Sequence, residues 1–337
     1  MDILDIKYTI ISYCCGTYPN IGGVPRYDTQ LKLIFPNRVF FMGPQQKQEL
    51  LVFLKTAKNP IIITDNHLSC DIPNEYPVLL VHHGCAAITA ERTPEWDPYW
   101  KKLCCTGQNI MLKYRNTDKT TIISISQSCY DDFFRIYGSD YIKFHNIKLL
   151  HSSELNQNLF KTNFTTDDKI PIILGNWNHP KKGGNIILKL TNAMEKKFIF
   201  QQLQVMPNTN ETLISFNKRK QEIYLQSDIF LQLSVSEGNS YATLDALLCG
   251  LVVVASNVGL FYKDVPEDCF VKLDWQRNND VEYIIEKIEY AWQNREKISQ
   301  NARKWYLENC NFEDWKNKMY KIVNDFYMKN YKEIRIL

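Results

Sequence analysis

The sequence predicts an α/β protein of two domains, each a parallel sheet wrapped by helices. Three observations predict it. Short apolar runs at 60–64, 77–81, 120–126 and 229–235 lack polar alternation, as strands buried on both faces do. Between them lie segments whose apolar residues recur at three- and four-residue spacing, the mark of helices that cover a sheet. The length of 337 residues exceeds one ordinary core and suits two.

Taken in order, residues 8–13 form a first strand that runs into CCGTYPNIGGVPRYDTQLKLIF, a turn-rich loop and an amphipathic helix. Gly22-Gly23 sits at that junction, where it serves either a tight turn or the close approach of backbone to a ligand. Strands at 38–42, 60–64 and 77–81 follow, with a helix at 45–57 between the first two. The last of these strands ends in His82-His83-Gly84. A histidine at the carboxyl end of a parallel strand is where such sheets place ligand contacts, and His83 is the stronger candidate; a buried histidine with a satisfied hydrogen bond is the alternative. Trp96, Tyr99 and Trp100 come next, among Glu91, Arg92, Glu95 and Asp97. They read either as an acceptor pocket, rings stacking on sugar while acids hold hydroxyls, or as helix packing. The YWKK tail of that segment could touch a membrane surface. A strand at 120–126, a helix in SQSCYDDFFRIYG and a strand at 147–150 complete the first half.

The polar stretch 162–169 opens the second half, so the boundary is expected near 165. A strand at 170–174, the loop GNWNHPKKGG and a helix at 185–194 repeat the strand, glycine loop, helix plan. Strands are expected at 198–203 and 212–216, and KRKQEIYLQSDIF leads to the block SEGNSYATLDALLCGLVVVASNVG at 236–259. There the apolar run ends at Ser236 and Glu237, and Gly238, Asn239 and Ser240 break the pattern. A helix starts at Asn239 or Ser240, Gly250 closes it, and residues 251–255 form the next strand. The N-terminus of such a helix is an anion site, with Glu237 on the loop and Asp245 eight residues on able to face it. A short strand in VKL, a long helical region at 281–309 and an amphipathic helix at 312–327 end the chain.

The E-x7-D spacing of Glu237 and Asp245, with its preceding Ser and the helix, Gly and Val-rich strand after it, resembles the E-x7-E signature of retaining GT-B glycosyltransferases. This is the GT4-like group, glycosyl transferases group 1. In that family the first acid contacts the transferred sugar and the second the ribose of the nucleotide. Gly22-Gly23 resembles the family's first glycine loop beside the donor phosphates, and a functional His also occurs near the position of His83. GNWNHPKKGG is similar to the family's GRxxxxKG. Lys182 matches its Lys, Asn176 stands in place of its Arg, and the loop is one residue longer. Lys181, Lys182, Lys218 and Arg219 are the candidates for the missing charge.

The resemblance implies a GT-B fold, two Rossmann-like domains with parallel sheets facing a central cleft. Residues 1–165 would be the acceptor side and residues 166–337 the nucleotide-sugar side, with the helix at 312–327 crossing back to the first domain. It further implies a hexosyltransferase that moves a hexose from a donor such as UDP- or GDP-hexose to an acceptor hydroxyl of a glycan or glycoconjugate. Glu237 and His83 would be catalytic. Gly22, Gly23, Lys182, Gly238, Asn239, Ser240 and Asp245 would bind the donor. Trp96, Tyr99 and Trp100 could bind the acceptor. No cofactor and no metal are expected, since no DxD-type cluster is present. The alternatives are a non-catalytic sugar-nucleotide or glycan-binding relative and a GT-B epimerase acting on the nucleotide sugar.

Bulk properties narrow the setting. A net charge of +3, balanced in both halves, argues against nucleic acid as a partner. The ten cysteines show no CxxC and no zinc-finger spacing, and read as reduced thiols. The start MDILDIKYTI looks like a strand and not a signal peptide, and no apolar run approaches the ~20 residues of a membrane span. The expected location is cytoplasmic, with at most peripheral membrane contact.

Overall fold

The computed structural model describes residues 8–166 and 169–332. Residues 1–7, weighed above against a signal peptide, and positions 167–168 of the polar stretch lie outside the described residues. In chain order the first elements are β1 (Thr9–Tyr13), α1 (Gly23–Ile34), β2 (Val39–Phe41), α2 (Lys47–Leu54), β3 (Pro60–Asp65) and β4 (Val78–His82). They are followed by α3 (Ala86–Arg92), α4 (Pro98–Tyr114), β5 (Thr120–Ser124), α5 (Gln127–Tyr137), α6 (Ser139–Ile142) and β6 (His145–Lys148). Then come β7 (Ile172–Gly175), α7 (Ile187–Met194), β8 (Ile199–Gln202), α8 (Leu213–Leu225), β9 (Ile229–Gln232), α9 (Tyr241–Cys249) and β10 (Val252–Ser256). The chain ends with α10 (Leu260–Lys263), β11 (Val271–Leu273), α11 (Val281–Gln293), α12 (Arg295–Asn309) and α13 (Phe312–Tyr331).

These elements divide into two compact units. The first holds the described residues up to Ile125, Cys129–Leu149 and the last helix from Glu313 onward. The second holds Ser126–Ser128 and Leu150–Phe312, so the chain passes into it earlier than residue 165 and leaves it at the start of α13.

The first unit is a parallel sheet of order β2-β1-β3-β4-β5-β6. Its central strands are buried along their whole length, as Ile61, Ile62, Ile63, Leu79, Leu80, Val81, Ile122 and Ile123 show, which is why they carry no alternation in sequence. The second is a parallel sheet of order β11-β10-β9-β7-β8. Its core joins Ile173, Ile229, Leu231, Val252 and Val254 to Leu190 of α7 and to Ile284 and Ile288 of α11.

One expectation is corrected. The strand expected at 212–216 is the start of α8, because Thr212 accepts a hydrogen bond from Ser215 N at 3.2 Å and caps it. Phe216, Lys220 and Tyr224 then fall four residues apart on its buried face. The long helical region expected at 281–309 is helical, divided between α11 and α12. Asn294 leaves the helical conformation (φ −109°, ψ 14°), and its side chain donates to Tyr290 O at 2.9 Å.

Candidate active site

In the second unit two loops at the carboxyl ends of the strands are built by glycines. β7 ends at Gly175, where a Cβ would fall 2.5 Å from Leu231 O and against the Trp177 ring. Glycine there lets the buried Trp177 indole lie on the sheet, with Nε1 donating to Leu231 O at 3.1 Å. A 3-10 turn, Pro180–Lys182, follows, and Gly183 takes φ +89° with Leu233 Cβ only 2.5 Å from where its own Cβ would be. No other residue holds that conformation in that space. The turn is tied to the neighbouring loop by Val235 N, which donates to Lys181 O at 3.0 Å.

That tie brings Lys182 to Glu237. Nζ of Lys182 lies 3.4 Å from Oε1 of Glu237, and the Glu237 side chain is 16% exposed. Ser234 Oγ donates to the same oxygen at 2.8 Å and fixes its orientation. Gly259 packs behind: a Cβ there would meet Glu237 Cβ and Gly238 O, each at 3.0 Å. Gly238 and Asn239 complete the loop, and Ser240 is the N-cap residue of α9 in extended conformation. The arrangement sets one ammonium, one carboxylate and a helix N-terminus side by side. It can hold a ligand with an anionic and a hydroxyl-bearing end.

Asp245 sits on α9, a helix buried along nearly all its length, and is itself 1% exposed. Its Oδ1 accepts from Ser153 Oγ at 2.5 Å and its Oδ2 lies 3.5 Å from Lys220 Nζ. Lys220 also faces Glu154 at 3.9 Å, and Ser153 N donates to the Tyr306 hydroxyl at 2.9 Å. Asp245 thus anchors a buried polar cluster. Lys220 and Ser153 escaped the sequence reading. The signal for Lys220 was its place in the Phe216, Lys220, Tyr224 stripe, where a cation requires a buried acid. Ser153 carried no such signal.

Asn176, in place of an Arg, accepts from Gln202 Nε2 at 3.4 Å. The Arg219 fork grips Glu211 at 3.0 and 2.6 Å and donates to Met206 O at 2.8 Å. Lys218 is exposed on α8, and Lys181 lies beside Lys182 on the turn.

In the first unit Gly22 is the N-cap of α1 with φ +127°, and Gly23 is the first helical residue. His82 and His83 differ sharply in surroundings. His82 is fully buried, stacked at 3.9 Å on Phe133 and at 5.9 Å on Tyr141. Desolvation, with His83 adding to it, lowers its pKa to about 3. The His83 side chain is 7% exposed, its Nε2 lies 2.9 Å from Asp65 Oδ1, and its ring meets Tyr27 edge-on at 5.0 Å. Behind Asp65, burial and the Asp65 charge push Asp28 well above the usual carboxylate range. Tyr99 and Trp100 are 67% and 52% exposed on the first turn of α4, edge-to-face at 5.5 Å, and Trp96 is half-buried on the preceding loop. Of the acids near them, Asp97 accepts from Trp100 N at 3.0 Å as the helix cap, and Glu91 pairs with Arg135 at 3.2 Å.

Comparison with known proteins gives three findings. Residues 172–305 match the family model described as glycosyl transferases group 1. No curated protein matches the chain. Solved structures do match in fold. Sucrose-phosphate synthase from Thermosynechococcus elongatus is 14% identical with a TM-score of 0.68, covering 95% of this chain and 99% of that one. Anabaena HepE in complex with UDP-glucose is 12% identical with a TM-score of 0.63, covering 94% and 100%. WaaG, a glycosyltransferase involved in lipopolysaccharide biosynthesis, is 12% identical with a TM-score of 0.60, covering 93% and 99%. The two parallel sheets, each flanked by helices, are the Rossmann-like units of the GT-B fold.

Proposed function

We propose, from the match of residues 172–305 to the glycosyl transferases group 1 model, that the chain moves a hexose from a nucleotide sugar to an acceptor hydroxyl with retention. The observation that carries the reading is the meeting of Lys182, Glu237 and the N-terminus of α9. Departure of a nucleoside diphosphate builds charge that a preorganised ammonium and helix N-terminus stabilise. Lys182 and the amides after Ser240 take that role, without a divalent metal. Glu237 holds hydroxyls of the transferred sugar, with Gly238 and Asn239 shaping the loop around it. Asp245 serves the ribose end by fixing Ser153 and Lys220. Gly22 and Gly23 give close backbone approach to the donor, His83 on Asp65 takes a catalytic contact to sugar, and Trp96, Tyr99 and Trp100 offer rings to the acceptor. UDP-hexoses are the first donors to try, since HepE binds UDP-glucose. Cytoplasmic placement belongs to the same reading.

Turnover of labelled donors by wild type and Glu237→Gln is the test. The variant should lose at least 100-fold in kcat, about 2.7 kcal/mol, while its UDP affinity changes less than threefold. An unchanged anomeric configuration in the product and full activity in EDTA complete the expectation. Asn176 in place of an arginine favours one rival, a sugar-nucleotide-binding relative without turnover. Saturable donor binding with no product from any acceptor would establish that rival instead.

A further inference from the structure

The first unit carries a recess that this chemistry does not use. Its floor is a row across three strands, since Leu79 pairs in register with Thr121, and Thr121 with His145. Ile147 and Leu149 extend the floor along the edge strand at every second residue. Opposite stands one face of α13, where Lys318, Lys321, Ile322, Asp325, Phe326 and Lys329 recur at helical spacing. The recess has a volume of about 340 Å³, within the size range of small-molecule sites.

Its chemistry is split. Leu79, Leu149 and Phe326 are buried at the bottom, with Ile147 and Ile322 half-buried above them. The mouth carries His145 and four lysines, Lys148, Lys318, Lys321 and Lys329. Among the described lining residues Asp325 is the one carboxylate, and Lys321 holds it at 2.5 Å. Lys321 and Asp325 offset one another, which leaves Lys318 and Lys329 as positive charge over an apolar floor. A small hydrophilic anion would leave that floor wet, and a neutral apolar molecule would leave the lysines unused.

We infer that this recess binds an amphiphile with a phosphate or carboxylate head and a short apolar body, the head between Lys318 and Lys329 and the body on Leu79 and Phe326. The site is separate from the candidate chemistry. Leu79 precedes His83 by four residues of extended strand, about 13 Å, and lies toward the amino end of β4. The occupant is therefore an anchor or effector and not the reacting sugar.

Calorimetric titration of the whole protein with monomeric dodecyl phosphate, inorganic phosphate and dodecanol tests this, beside sedimentation with vesicles of phosphatidylcholine alone or with phosphatidylglycerol. Dodecyl phosphate should bind saturably and at least tenfold more tightly than inorganic phosphate or dodecanol. Lys318→Glu/Lys329→Glu should weaken it at least tenfold and Ile322→Ser severalfold, with melting temperatures and turnover unchanged, because neither face belongs to the donor site. Cosedimentation with phosphatidylglycerol vesicles, lost in the double variant, identifies a lipid headgroup as the source. Binding of dodecyl phosphate without cosedimentation identifies a soluble amphiphile. Equal affinity for inorganic phosphate, no binding of either phosphate-bearing probe, or binding that survives the charge reversal overturns the inference.

Discussion

The His82 ring stacks on Phe133, with Tyr141 at 5.9 Å, and among the described residues neither ring nitrogen has a hydrogen-bond partner. Charging it in the folded state is costly, whereas in the unfolded chain it protonates near pH 6.5. Because its folded pKa of about 3 lies below the unfolded value, the unfolded state binds more protons and stability falls as pH drops from 6.5 toward 3. At pH 5 that amounts to about 2 kcal/mol. His82→Phe keeps the stack and should remove this loss, which urea unfolding of both proteins at pH 5 and pH 7.5 would reveal as a flatter acid limb. At Asp245 the matching question concerns charge pairing. Removing one partner of a buried ion pair costs about 3 to 5 kcal/mol, so Asp245→Ala and Lys220→Met should each destabilise strongly. The double variant should lose at least about 1 kcal/mol less than the sum, and strict additivity in urea unfolding would dissolve the pair. Both environments were half legible. E-x7-D and HHG drew the eye to acids and histidines in the right loops and helices, but burial decides what each carboxylate and ring can touch. Burial depends on which face of α8 or β4 is covered, and single-residue spacing does not contain that.

At the scale of elements, two glycines with positive φ differ in what confines them. Gly138 (φ +49°, ψ −120°) lies outside the left-handed helical well and has nothing within 4 Å of a Cβ, so Gly138→Ala should cost backbone strain alone, of order 1 to 3 kcal/mol. Gly183 (φ +89°) adds a clash with Leu233 at 2.5 Å on the end of the chain from β9 to Glu237. Gly183→Ala should, alone of the two, weaken UDP binding at least tenfold in calorimetry. Strands and helices of this fold were largely visible as unalternating apolar runs and three-to-four spacing, and Gly250 does close α9 in the left-handed conformation expected of it. What failed was a segment where local hydrogen bonds compete with pattern: Leu213, Ile214 and Phe216 look like a strand until Thr212 caps them.

At the scale of the whole molecule, the first unit is discontinuous in sequence. Its sheet is complete at Lys148, yet α13 belongs to it and buries Trp315, Met319, Val323, Phe326 and Tyr327 there. Trp315 meets Tyr27 edge-on, Tyr320 meets Phe35 at 5.0 Å and donates to Ile34 O at 2.5 Å, and the Tyr331 hydroxyl donates to Pro60 O at 2.8 Å. Five buried side chains at about 2 kcal/mol each rival the entire stability of an ordinary domain. A chain ending at residue 311 should lose cooperative unfolding of its first half and bind a hydrophobic dye, while a synthetic peptide of residues 312–332 restores the transition in differential scanning calorimetry. The order of synthesis gives this feature a further meaning. A ribosome releases β1 to β6 more than 160 residues before the helix that covers Tyr27 and Phe35, so the nascent first unit waits with an apolar face open while the second is made. A chain cut within α13 would leave that face exposed, which makes this helix a seal on a sheet laid down long before it.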